Sequence, residues 1–176
     1  RIRAKLGGEP LYAIVNNAGT LDAGTLAETC NANCIGQRRV CDALIPALDQ
    51  DQGRVANVAS AAGPNFVKRC ELAKQAELVD SKITWPAVHA LIEEVAALEA
   101  QGAPGSAFTA KGYPDPTDDP MWGYGFSKAC VNAFTMALAA EHPNLRINSC
   151  TPGFIATDMT QIIADRQGKT REEMGM

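Results

Sequence analysis

Short apolar runs alternate along the chain with longer stretches in which apolar residues recur every three or four positions. The run LYAIV at 11–15 is continuous, the pattern of a strand buried on both faces. It leads into NNAG at 16–19, a polar turn closed by glycine. From Asn33 to Leu48, the residues Val40, Leu44, Ile45 and Leu48 fall at helical spacing. Pro46 lies inside that pattern and predicts a kink or an early end. RVANVAS at 54–60 alternates, and predicts a second strand.

Residues 61–121 differ in character. AAGPN reads as a loop, followed by helical stretches over 70–79 and 86–101. The second carries Val88, Leu91, Ile92, Val95 and Leu98 on one face, with Glu93, Glu94 and Glu99 largely off it. Thr84 is placed to cap its start and Gly102 its end. GAPGSAF and GYPDPTDDP, rich in glycine and proline, predict a long surface loop. The whole of 61–121 reads as an insertion between a strand and the next core helix. That helix is predicted over 124–141, then a third strand in LRINSCTP, a loop at 153–160 and a further helix near Ile162. Strands alternating with helices imply a single α/β domain over 1–176, built on a parallel, doubly wound sheet.

Composition narrows the function classes. The 176 residues are 46% hydrophobic and carry a net charge of −4, which argues against a nucleic-acid surface. The apolar runs are far shorter than a membrane span. None of the six cysteines forms a C-x-x-C pair, and neither His89 nor His142 stands at ligand spacing from one, so no metal site is expected. Reduced, structural thiols and a cytoplasmic location are the expectation. The chain begins at Arg1 and ends in a polar stretch at Met176, which reads as a fragment.

In open α/β sheets, ligands collect beyond the carboxyl ends of the strands. Ser60 lies at one such end, and Tyr124 starts the helix that precedes the third strand. Lys128 follows one turn later on the same face. Tyrosine, with a pKa of about 10, is a poor acid near neutrality. A neighbouring ammonium lowers that value and lets the phenol protonate the alkoxide formed when a carbonyl accepts hydride. Ser60 can hydrogen-bond the same oxygen. The bland reading of Tyr124 and Lys128, an exposed lysine beside a half-buried tyrosine, stays open on the pair alone.

The wider pattern resembles the short-chain dehydrogenase/reductase family, especially its carbonyl-reductase-like members. NNAG, NANCIG, RVANVAS, YGFSK and RINSCTPGFIATDM match that family's motifs in the family's order, over residues 16–159. The resemblance implies the catalytic half of a Rossmann-like domain, with Tyr124 as general acid and Lys128 as its pKa-lowering partner and ribose holder. Ser60 would bind the substrate oxygen, and Asn33 would hold a water in a proton relay. Asn16, Ala18 and Gly19 would approach the cofactor, and Pro152, Gly153, Ile155 and Thr157 would line its nicotinamide end.

The implied cofactor is NADP(H), with NAD(H) left open, and the implied partner is a small-molecule carbonyl or alcohol. The helical insertion implies a monomer. The family's T-G-x-x-x-G-x-G turn, which cradles the cofactor pyrophosphate, has no counterpart in this sequence. Poor cofactor binding and an exposed strand edge are therefore expected. A second reading, from a different class, is a non-catalytic remnant of the fold that serves as an interaction surface.

Overall fold

The computed structural model describes residues 5–166, 168–170 and 172–174. Three strands, β1 (Ala13–Asn16), β2 (Arg54–Val58) and β3 (Arg146–Cys150), form a parallel sheet in the order β1-β2-β3. The register sets Asn16 beside Asn57 and Asn57 beside Ser149, so the three carboxyl ends form one rim.

The connection from β1 to β2 is one long helical run of four pieces. These are α1 (Leu26–Cys30), a π-helical turn (Asn31–Ile35), α2 (Gly36–Leu44) and a 3-10 turn (Ile45–Ala47). The run starts seven residues earlier than the apolar spacing suggests, because Thr25 caps it by accepting the Glu28 N–H. Pro46 ends α2 early, as expected. Beyond β2 come α3 (Ala62–Arg69), α4 (Leu72–Leu78), α5 (Trp85–Ala100), α6 (Gly105–Thr109), a 3-10 turn (Pro116–Asp118) and α7 (Trp122–Glu141). After β3, α8 covers Asp158–Arg166. None of these helices is long and apolar enough to cross a membrane.

The core lies on one face of the sheet. Ile14, Val55 and Ile147 are buried there, and Asn16 and Asn57 point the same way, towards Cys41 of α2 and Thr135 of α7. The other face of β1 is open. Val15 is 66% exposed beside Ile14 at 5%, so the apolar run 11–15 is not buried on both faces. The reason is position: β1 is an edge strand, and nothing among the described residues covers its outer side.

Residues 61–121 correct two further expectations. AAGPN is not a loop, since residues 62–65 open α3. Pro64 sits in the first turn, where its missing N–H has no helical partner to lose. Gly63 brings α3 onto α7: a Cβ there would come within 2.8 Å of the Lys128 backbone. The glycine- and proline-rich 102–120 is only partly loop, because it includes α6 and buries Phe108 and Tyr113. Those rings join Phe66, Trp122 and Phe126, and the Trp122 indole N–H donates to the Pro114 carbonyl at 2.8 Å. The apolar face of α5 is buried as its period predicts, against α1 and α7. Thr84 occupies its N-cap without a side-chain bond, and Gly102 follows its end with φ +62. Two of its acids turn inward rather than outward: Glu94 accepts from the Tyr113 hydroxyl, and Glu99 accepts the Leu26 N–H.

Candidate functional site

Lys128 is the centre of the rim. It is 4% exposed, and Nζ donates to the Val58 carbonyl, the last of β2, at 2.8 Å. Nζ also stands 5.7 Å from the centroid of the Tyr124 ring. Helical periodicity alone brings these two together, because residues four apart share a face. Burial lowers the Lys128 pKa below its ordinary value.

The π turn delivers Asn33 to the same place. An extra residue in the turn rotates its side chain inward, and such turns recur at functional sites. Asn33 is fully buried. Its Oδ1 accepts the Thr20 N–H at 2.7 Å, while Nδ2 donates to the Thr20 carbonyl and to Ser127 Oγ, both at 2.9 Å. Ser127 Oγ donates in turn to the Tyr124 carbonyl at 2.8 Å. A Cβ on Gly19 would lie 3.0 Å from Asn33 Oδ1 and 3.5 Å from Lys128 Nζ. Gly19, Asn33, Lys128 and the Tyr124 turn therefore form one cluster, drawn from β1's exit, the π turn and α7.

The remaining expected site residues lie around this cluster rather than in it. Ser60, half-buried, follows β2 by two residues, and its Oγ accepts the Ala62 N–H at 3.2 Å as the chain enters α3. It makes no hydrogen bond to Tyr124 or Lys128 among the described residues. Asn16 turns away from the rim, donating to Asn57 Oδ1 at 2.8 Å and to Cys41 Sγ at 3.2 Å inside the core. Ala18 is exposed, as are Pro152, Gly153, Ile155 and Thr157 beyond β3. Gly153 has φ +81, a turn that suits glycine, and Thr157 pairs with Thr160 at the start of α8.

The spacing of motifs did not single out Ser127 or Thr20, which hold Asn33. Neither carries a local sign of that role, since the burial of Asn33 and Lys128 is set by the fold. Beside Tyr124 opens a cleft of about 420 Å³, walled by Leu21, Leu26, Glu99, Phe108 and Trp122. That size is ordinary for a small-molecule site. Neither Ser60 nor Asn33 lines it.

The rim also fits one end of a nicotinamide cofactor. Lys128 has three donors, and among the described residues a single hydrogen-bond acceptor, the Val58 carbonyl, meets them. Ribose hydroxyls would satisfy the others, and Gly19 leaves the space beside Nζ clear of a side chain.

A family model, short chain dehydrogenase, matches residues 119–168. The (+)-neomenthol dehydrogenase of Arabidopsis thaliana is 32% identical over 136 residues, 76% of this chain and 43% of that protein. Carbonyl reductase [NADPH] 1 of Bos taurus is 30% identical over 172 residues, 90% of this chain and 57% of that protein. This chain thus spans about half the length of these curated relatives. Among solved structures, salutaridine reductase from Papaver somniferum superposes with a TM-score of 0.72 at 24% identity, over 90% of this chain and 64% of the other. Menthone neomenthol reductase from Mentha piperita gives 0.68 at 24% identity, over 86% and 63%. At that identity the structures speak for the fold, a Rossmann-type parallel sheet. Taken with the ordered motifs and the curated relatives, these matches establish that the chain belongs to the short-chain dehydrogenase/reductase family, as a carbonyl-reductase-like member.

Proposed function

We propose that this chain carries the catalytic centre of an NADP(H)-dependent carbonyl reductase, acting on an aldehyde or ketone or, in reverse, on an alcohol. The observation that carries the reading is the buried Lys128 ammonium beside the Tyr124 ring. The names of the bovine relative and a rat relative, both carbonyl reductases [NADPH], support NADP(H) over NAD(H). Bound nicotinamide supplies or takes the hydride.

Tyr124 gives its phenolic proton to the carbonyl oxygen as negative charge develops there. Lys128 favours the resulting tyrosinate, and the Val58 carbonyl keeps its ammonium in place. Ser60 donates a second hydrogen bond to the substrate oxygen. Asn33 has spent both amide protons on Thr20 and Ser127, which leaves one Oδ1 lone pair for a relay water. Asn16 contributes through its backbone, and Ala18 and Gly19 through their small size. Pro152, Gly153, Ile155 and Thr157 form the wall at the nicotinamide end.

Residues 61–121 act as an insertion, and α5, lying over α1 and α7, supports a monomer. Five buried free thiols support a reducing, cytoplasmic compartment. The test is Tyr124→Phe, followed by NADPH oxidation against a panel of ketones and aldehydes and by NADPH binding. Turnover should fall at least 100-fold while cofactor affinity changes less than about threefold. Unchanged turnover, or a Tyr124 chain that binds NADPH and reduces nothing, would overturn the reading.

A further inference from the structure

Glu99 ties the long helix of the 61–121 segment to the wall of the Tyr124 cleft. Its Oε2 accepts the Leu26 N–H at 2.8 Å, across 73 residues of sequence. Leu26 is the first residue of α1, where a backbone N–H has no partner within the helix. Thr25 and Glu28 already serve each other there as a capping pair, so Glu99 supplies the acceptor they do not.

The Leu26 side chain is pressed against the residue before the tyrosine. A Cβ on Gly123 would meet Leu26 Cδ2 at 2.5 Å, so any larger residue there would push the Leu26 side chain from this position. Glu99, Leu26, Gly123 and Tyr124 all line the cleft, together with Phe108 and Trp122. The charge of the wall is one-sided. Its ionisable lining residues other than Tyr124 are Asp22, Glu99 and Asp119, and only Asp119 has a cationic partner, Arg69, among the described residues.

We propose that Glu99 is the specificity-determining residue of this cleft: it fixes Leu26 against Gly123 as the wall beside Tyr124, and its carboxylate restricts the cleft to carbonyl compounds on a compact apolar frame without negative charge. The first half is positional and needs only an acceptor at Glu99. The second needs its charge. The inference rests on the reading of Tyr124 as proton donor to a carbonyl, but binding can be measured without turnover.

Trp122 lines the cleft and is one of two tryptophans in the chain, so Trp85→Phe leaves it as the sole reporter. In that background, quenching of Trp122 fluorescence is titrated with acetophenone and with 4-acetylbenzoate, the same frame carrying a carboxylate. The parent should bind acetophenone at least tenfold more tightly than 4-acetylbenzoate. Glu99→Gln keeps an oxygen for the Leu26 N–H, and should hold acetophenone affinity while narrowing the ratio to within threefold. Glu99→Leu should weaken acetophenone at least fivefold, with its fold checked by circular dichroism. A parent that binds both probes equally or neither, or a ratio untouched by Glu99→Gln, would overturn the proposal. A protein that discriminates between the probes in binding, binds NADPH and reduces no ketone or aldehyde of the panel would instead retire the catalytic reading and leave the binding preference standing.

Discussion

On the flank of α7 that faces the π turn and β2, hydrogen bonds join buried polar groups; on the flank that faces α3 and residues 102–121, ring packs against ring. The polar flank holds Asn33, Ser127, Lys128 and, further along, Thr135 with Asn57. The aromatic flank holds Phe66, Phe108, Tyr113, Trp122 and Phe126, with neighbouring centroids 4.9–6.2 Å apart. Hydrogen bonds are directional, so the polar flank sets angles and distances around Tyr124 and Lys128. Apolar packing is stronger in sum and less directional, so the aromatic flank sets how firmly the helix is held. One helix thus separates the fixing of geometry from the supply of stability.

The largest effect should come from emptying the aromatic flank. Phe126 is fully buried and touches three other rings of the cluster. Phe126→Ala removes that area and leaves a cavity, at about 3–5 kcal/mol by denaturant unfolding. Leu or Met at the same position should recover more than half of the loss, since both fill volume without ring geometry. A cost under about 1 kcal/mol for the alanine variant would mean that the rings do not anchor α7.

A smaller effect is expected on the polar flank. Asn33→Ala strands the Thr20 N–H and its carbonyl and removes a donor from Ser127, for about 1–3 kcal/mol. Ser127→Ala leaves one Asn33 N–H unmet and should cost less, about 1–2 kcal/mol. The double variant should cost less than the sum, because each deletion removes part of the other's penalty. Strict additivity in that cycle would dissolve the idea of a connected polar flank.

How much of this was readable beforehand depends on whether a residue's surroundings are local. The three strands and α5 stand out because alternation and the 3.6-residue period are properties of the segment itself. Tyr124 and Lys128 meet for the same reason. The start of α1 was also written locally, in Thr25 and Glu28, but polar residues at 31 and 33, the second of them buried, break the apolar period that marks a helix. The helical AAGPN segment was hidden by Gly63 and Pro64, whose usual meaning is reversed by a close neighbour and a first-turn position. Val15 could not be read as exposed, since its burial depends on which elements lie beside β1 and over its outer face. Neither the Asn33–Ser127 bond nor the Glu99–Leu26 bond has a local sign, since each joins residues more than 70 positions apart.

The smallest and most specific effect should be in pH dependence, and it separates the flanks by sign. Burial lowers Lys128 below the ordinary lysine pKa of 10.5. Between its folded value and 10.5, the unfolded chain therefore binds more protons at this position than the folded one. Stability from this group is lost as pH falls through the folded value and is restored as pH rises towards 10.5. On the aromatic flank, burial first and the Glu94 carboxylate second raise the Tyr113 phenol above its ordinary 10.0. The folded chain then holds the proton that the unfolded chain releases, and stability falls as pH rises past 10.0. Lys128→Met cancels the first contribution and leaves the second, so unfolding free energies of parent and variant are compared from pH 8 to 11. The parent should gain on the variant across the upper part of that range. A parallel pair of curves would mean that the Lys128 ammonium is as well solvated in the folded chain as in the unfolded one, and the polar flank would lose its buried charge.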